Sequence, residues 1–295
     1  MKLKTLFFAL LSVLFTLNLG AFSAQADQPR PWQMGFQDPA SPVMEKLVAL
    51  HNGLLYMAFG VSAFVLFLLI YVCFRFNAKR NPVPSKTTHN TMIEVVWTVI
   101  PILILVAIVI PSWRIIHFMD KAHNPEITLK AIGYQWYWGY EYMDGEGKGI
   151  AFESYMKSAD ATDESLKLKE GEPRNLATDT VVYLPIDTDV RIFTTAADVI
   201  HAWAMPAFGV KMDAVPGRIN ETWVRITKEG DYYGQCSELC GSKHAFMPIH
   251  VRAVSKEKYA EWVKARKAEL GIKNEEPVKE EKTAEPKAES KKIIN

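Results

Sequence analysis

The spacing of apolar and polar positions divides the chain into unlike parts. Residues 54–74 carry no charged side chain over 21 positions, and residues 95–113 none over 19. About 20 apolar residues cross the roughly 30 Å hydrocarbon core of a bilayer as a helix, so both segments predict transmembrane helices. Pro101 and Pro111 do not exclude the second, because neighbouring helices and ordered water satisfy the backbone groups that a proline frees. Between the two lie Arg75, Lys79, Arg80 and Lys86, with no acidic residue through Thr91. A shorter apolar run, residues 6–17, follows Lys2 and Lys4 and leads to Ala24-Gln25-Ala26. That layout is a secretory signal with an A-x-A site, removed after Ala26. Cleavage places the new N-terminus outside, the basic loop stays in the cytoplasm, and the chain after His117 emerges outside again.

From residue 126 to 254 the pattern changes to short apolar runs separated by turn residues, with no sustained helical period. It predicts an all-β domain. Strands are expected over residues 127–132, 135–142, 180–184, 190–195, 221–226, 230–234 and 248–254. About 130 residues is the size of one antiparallel sandwich or barrel. Ser255 is placed to cap a helix through Leu270, with Gly271 as its stop. After Asn274, Lys and Glu alternate with Pro and Ala and no aromatic appears, which predicts a disordered tail. The expected organisation is a leader (1–26), an outer N-terminal segment (27–49), a helical hairpin (50–118) with a cytoplasmic loop (75–91), a β domain (124–254), an amphipathic helix (255–271) and a charged tail (272–295).

Composition alters this picture at one point. A net charge of +1 over 295 residues gives no argument for nucleic-acid binding, and 49% hydrophobic residues exclude a disordered chain. Yet residues 124–254 hold 19 acidic and 13 basic side chains, so an acidic module sits inside a neutral average. Three Cys cannot build a disulfide framework in a chain of this length.

Cys236, Cys240, His244 and Met247 fall within twelve residues. A thioether is a poor zinc ligand but suits copper, as do thiolate and imidazole, so the set favours copper over structural zinc. A single blue copper uses one Cys, two His and a weak axial Met. A second Cys four positions away offers a second bridging thiolate and room for two coppers. Such a site needs another imidazole from elsewhere, and His201, in Asp-Val-Ile-His-Ala-Trp (198–203), is the best placed. The competing reading is an ordinary disulfide in an oxidising compartment, which leaves His244 and Met247 without a purpose. His201 alone would read as a hydrogen-bonded core histidine. Cys73, in a membrane run without a partner, reads as a small buried apolar residue.

The spacing Cys-x3-Cys-x3-His-x2-Met, the Asp-Val-Ile-His-Ala-Trp segment, the run Gln-Trp-Tyr-Trp-Gly-Tyr-Glu-Tyr at 135–142 and the two-helix hairpin together resemble cytochrome c oxidase subunit II, over about residues 50–255. The resemblance implies a cupredoxin-like Greek-key β-sandwich or barrel that carries a binuclear, mixed-valence copper A centre. It would stand on the periplasmic side of a bacterial cytoplasmic (inner) membrane. Cys236 and Cys240 would bridge the coppers, His201 and His244 would be terminal imidazoles, Met247 a thioether ligand, and Glu238 would contribute its backbone carbonyl. Trp136 is implied as the exposed contact for reduced cytochrome c, with Glu141, Asp144 and Asp198 in an acidic docking surface. Ala197 departs from many relatives, where that position is acidic, which weakens the field there.

Further implied roles are Glu94 at the entrance of a proton pathway in subunit I, and the Glu238 side chain against a magnesium or manganese ion shared with subunit I. Asp213 and Arg218 match the segment facing the haem-bearing subunit. Plainer readings stand beside these: an interfacial carboxylate for Glu94, a polar turn for Asp213 and Arg218, and core packing for much of the aromatic run. The implied activity is that of cytochrome-c oxidase. Electrons from cytochrome c pass through this chain to haem in subunit I, where oxygen is reduced to water with proton pumping; subunits I and III are implied partners. The chain has no Cys-x2-Cys-His, so no haem of its own is expected and the donor is a separate molecule. Two other classes use similar residues. A membrane-anchored copper chaperone usually has one anchor and a thioredoxin-like βαβ domain; an assembly scaffold would carry a vestigial metal loop.

Overall fold

The structure, a computed structural model, describes residues 28–120 and 124–272. The expected leader and residues 273–295 of the expected tail lie outside the described residues. Helix α1 (Pro42–Arg75) begins where Ser41 Oγ accepts the Met44 amide at 3.0 Å, just ahead of a proline whose missing N–H is harmless in the first turn. Helix α2 (Thr91–Asp120) begins after Asn90, whose Oδ1 accepts the Ile93 amide at 3.2 Å. Their 34 and 30 residues give lengths of about 51 and 45 Å, more than the hydrocarbon core requires. Large apolar side chains such as Phe64, Phe67, Leu103 and Leu105 point outward. In water such a face would be costly; in lipid it is solvated. Cys73 is exposed on α1 rather than buried within the protein.

The β domain contains β1 (Ile127–Tyr134), β2 (Tyr137–Tyr142), β3 (Ala151–Ser154), β4 (Val182–Pro185), β5 (Asp189–Ala196), β6 (His201–Met205), β7 (Val210–Ala214), β8 (Asn220–Arg225), β9 (Gly230–Gln235) and β10 (Pro248–Val254). One sheet has the order β3-β2-β1-β5-β8, a second β4-β10-β9, and β6 pairs with β7. Leu129, Ile192 and Val224 of the first sheet meet Leu184, Ile249 and Val251 of the second in one core from which water is excluded. The β1–β5 and β4–β10 pairs are parallel, so the sheets are mixed rather than purely antiparallel. Side-chain alternation along a strand carries no information about the direction of its neighbour.

Strands β3, β6 and β7 were not expected. All five residues of β6, His-Ala-Trp-Ala-Met, are buried, so the two-residue alternation that betrays a half-exposed strand is absent. The expected strand 135–142 starts two residues late, because Tyr134 pairs with Tyr137 and residues 135–136 form the turn between β1 and β2. Trp138, Tyr140 and Tyr142 are buried, while Trp136 at the turn is set apart from them. Helix α3 (Lys256–Glu269) is capped by Ser255 Oγ, which accepts the Lys258 amide at 3.3 Å. It covers β4, with Trp262 stacked on Tyr183 at 4.8 Å. The hairpin is fastened to the β domain by Ser41 Oγ donating to the Phe208 carbonyl at 2.7 Å, and by Trp223 Nε1 donating to the Phe118 carbonyl at 3.0 Å.

Candidate metal centre

Strands β9 and β10 form an antiparallel hairpin with Gln235 opposite Pro248, and the intervening residues 236–247 make a long loop. Such a loop holds one shape only if its backbone groups find partners. Ser237 N donates to the Ala202 carbonyl on β6 at 3.1 Å, His244 N to Gly241 O at 3.1 Å and Phe246 N to Lys243 O at 2.9 Å. Gly241 sits at φ +122°, and a Cβ there would come within 2.9 Å of the Trp136 ring, so conformation and space both demand glycine. At Gly133 on β1 a Cβ would lie 2.7–2.9 Å from His201 side-chain atoms. Its bare backbone opens the niche into which His201 turns.

The loop and β6 bring together the donors expected from the sequence. Cys236 Sγ and Cys240 Sγ stand 3.8 Å apart, far beyond the roughly 2.05 Å of a disulfide. His201 Nδ1 lies 3.8 Å from Cys236 Sγ, and the Glu238 carbonyl oxygen 3.4 Å from the same sulfur. On the other side, His244 Nδ1 is 3.5 Å and Met247 Sδ 3.6 Å from Cys240 Sγ. The donor atoms of His201, Cys236 and Cys240 all fall within 4.8 Å of one another, and the three residues are buried. Two thiols in the middle, with imidazoles, a thioether and a carbonyl around them, are soft and borderline donors. That set fits copper and does not fit a structural zinc site, which has no use for a thioether.

Electrostatics distinguishes the two thiols. Burial pushes both up, but at Cys236 the hydrogen bonds from His201 and nearby backbone outweigh it and bring the thiol down to about 6. Burial, together with the neighbouring Cys236 charge, pushes Cys240 up to about 12. Burial acts to lower the His201 imidazole, yet its bonds to Cys236 and Asp198 prevail and hold it above its ordinary value. Asp198 accepts from three groups: His201 Nε2 at 2.9 Å, its neighbour Val199 N at 2.6 Å and Gln135 N at 2.7 Å. Against the upward push of burial, these bonds keep its carboxyl below the usual range. Asp198 thereby fixes the His201 ring with Nδ1 turned toward the thiols.

Trp136 is half-buried rather than fully exposed, and it packs on the core beside the loop. Its indole N–H donates to the Cys240 carbonyl at 3.1 Å, and the Gln135 side-chain amide donates to the same oxygen at 2.9 Å. Trp138, buried beneath, donates to the Met247 carbonyl at 3.3 Å. Gln135, Gly133 and Trp138 escaped the sequence reading as parts of this site. The spacing Asp198-x2-His201 was a usable sign of a carboxylate–imidazole pair; Gln135 carried no sign at all.

The remaining candidates lie farther off. Glu141 faces Lys130 across β1–β2 and pairs with it at 3.0 Å. It stands five residues, about 17 Å, along the strand from Trp136. Asp144 lies beyond it, exposed, where its carboxylate accepts the Thr128 amide. Glu94 sits exposed in the first turn of α2. The exposed side chain of Glu238 lines an open cleft with Lys211, Asp213, Arg218 and Asn220.

Comparison with known proteins accords with this geometry. The family description "Cytochrome C oxidase subunit II, periplasmic domain" matches residues 127–254, and "Cytochrome C oxidase subunit II, transmembrane domain" matches residues 29–115. The chain belongs to the cytochrome c oxidase subunit II family. "Probable cytochrome c oxidase subunit 2" of Rickettsia bellii is 49% identical over 257 residues, 86% of this chain and 93% of that protein. Cytochrome c oxidase subunit 2 of Cyanidium caldarium is 46% identical over 240 residues, 80% of this chain and 92% of that one. Among solved structures, the periplasmic domain of subunit II of cytochrome oxidase (CoxB) of Bradyrhizobium japonicum is 46% identical, with a TM-score of 0.44 over 50% of this chain and 99% of its own. As a member of the subunit II family the chain is part of the oxidase complex, with a cupredoxin-like β domain carried on two membrane-capable helices. The family normally carries copper A, and the paired thiols with His201 match that group's needs.

Proposed function

We propose that this chain accepts electrons from cytochrome c on the periplasmic side of a bacterial inner membrane and passes them to haem in subunit I, where oxygen is reduced and protons are pumped. The observation that carries the reading is the pair of buried, unlinked sulfurs 3.8 Å apart with imidazoles reaching one from each side. Cys236, Cys240, His201, His244 and Met247 would hold two coppers by their side chains, with Glu238 adding its carbonyl. When bound, the copper pair supplies a one-electron store shared between two ions. The residues do the rest. Asp198 fixes the ring of His201, while Trp138 and the buried Met247 keep water from the donors. The fixed loop leaves little to rearrange when charge arrives.

Trp136 is the contact for the visiting cytochrome c, since its indole rests on the backbone of a ligand residue. Glu141, Asp144 and Asp198 supply negative charge to the docking face, which steers a basic protein toward it. The pair with Lys130 reduces the share of Glu141. Glu238 also lines the cleft with Lys211, Asp213 and Arg218, and there its carboxylate, with that of Asp213, would offer hard oxygen donors to a magnesium or manganese ion held jointly with subunit I. Glu94, in the turn of α2 next to the basic loop, serves as the cytoplasmic entrance of a proton path. Subunit III completes the assembly.

Electron paramagnetic resonance of the purified oxidase tests the central assignment. One unpaired electron shared equally by two copper nuclei is the expected result. A single-copper pattern, or a Cys236–Cys240 cystine in the native protein, would refute it.

A further inference from the structure

Between α1 and α2, at the end nearer the β domain, lies a groove of about 690 Å³ that the metal centre does not use. This is within the roughly 300–1,000 Å³ of small-molecule sites. Its walls include Leu50, Leu54 and Met57 of α1 and Ile108, Pro111 and Ile115 of α2. Gly53 leaves the gap between them, since a Cβ added there would meet nothing within 4 Å.

Two cations, Lys46 and Arg114, also line the groove. Lys46 is the last charged residue before the apolar stretch of α1, and Arg114 is the first after that of α2. Both therefore mark the level at which hydrocarbon gives way to polar headgroups. Lys46 Nζ lies 5.1 Å from the centre of the Phe118 ring, and neither cation forms an ion pair among the described residues. An apolar trough ending in two uncompensated cations matches an amphiphile with long tails and a net negative head. A zwitterionic head brings its own cation and gains less. An apolar partner helix would fill the trough but leave both charges unanswered.

We propose that this groove binds one anionic phospholipid from the leaflet on the β-domain side, with its phosphate between Lys46 and Arg114 and an acyl chain lying over Gly53. The assembled oxidase, purified in mild detergent, is offered phosphatidylglycerol or phosphatidylcholine, and the lipids it retains are weighed by native mass spectrometry. One tightly held phosphatidylglycerol per complex is expected, not displaced by phosphatidylcholine. Each cation near an anionic head contributes roughly fivefold in affinity, so Lys46→Gln with Arg114→Gln weakens retention by about 30-fold. Gly53→Leu fills the trough with the charges untouched and expels the lipid by sterics alone; if the double variant fails to assemble, this variant carries the test. The copper spectrum of each variant reports whether the β domain is intact. Three results overturn the proposal: undiminished lipid in the variants that assemble, equal retention of phosphatidylcholine, or cross-linking of a Gly53→Cys variant to a helix of a partner subunit.

Discussion

The β domain contains two histidine–carboxylate pairs of nearly the same length that end in different chemistry. His201 Nε2 meets Asp198 at 2.9 Å, and His250 Nε2 meets Asp231 at 3.0 Å. Both rings are buried. The difference lies at the other nitrogen and at the other side of the carboxylate. His201 Nδ1 faces Cys236 Sγ, whereas His250 Nδ1 is buried with no hydrogen-bond partner among the described residues. Asp231 is further clamped by Arg252 at 2.7 Å, an ion pair that joins β9 to β10. A carboxylate that orients an imidazole is thus a structural device in one place and part of a donor set in the other. What the free nitrogen sees decides which.

Replacing a sulfur breaks the contrast most severely. Cys236→Ser in the assembled oxidase should abolish the two-copper signal and reduce turnover with cytochrome c beyond the roughly 10–100-fold that follows loss of an outer-shell partner. A persistent signal would show that the sulfur is not a ligand. Asp198→Asn comes next, with copper retention against a chelator falling by about 10–100-fold as His201 loses its fixed orientation. Asp231→Asn should leave copper retention alone and instead lower unfolding stability by about 1–3 kcal/mol, read from urea midpoints. Equal copper loss in the two variants would erase the distinction between the pairs.

Acid sharpens it further. Burial pushes the Asp231 carboxyl up, but His250 and Arg252 prevail and bring it down to about 2 from an ordinary 3.8. A depressed carboxyl stabilises the fold fully above its unfolded value and loses that contribution as pH falls through its folded one. The stability gap between wild type and Asp231→Asn should therefore close between about pH 4 and 2, as acid titration of unfolding would reveal. Salt should have the smallest effect. The KM for cytochrome c should rise severalfold as ionic strength passes about 0.1 M, where the screening length is about 10 Å. A salt-independent KM would remove the acids from docking.

Legibility in the sequence followed exposure. The spans at residues 54–74 and 95–113 could be read because membrane helices must be apolar along their whole length. Strands such as β5, whose burial alternates, could be read for the same kind of reason. β6 could not, because burial on both faces removes the alternation, and with it went the placement of His201 at a strand start. The donor residues themselves were legible because four of them lie in one loop, where local spacing is nearly spatial spacing. Gln135, Gly133 and Trp138 join the site only through the fold, 105, 68 and 109 positions from Cys240, His201 and Met247 respectively. The acids expected to dock show the converse: Glu141 and Asp144 are near Trp136 in the chain but lie down the strand from it.

One carbonyl oxygen receives two side-chain N–H groups, from adjacent residues at the tip of the β1–β2 hairpin. The rim that a visiting protein would touch and the sulfur-bearing backbone behind it are therefore a single mechanical unit. Displacement of that tip is resisted by both hydrogen bonds, which restrain the separation between the Trp136 indole and the Cys240 backbone.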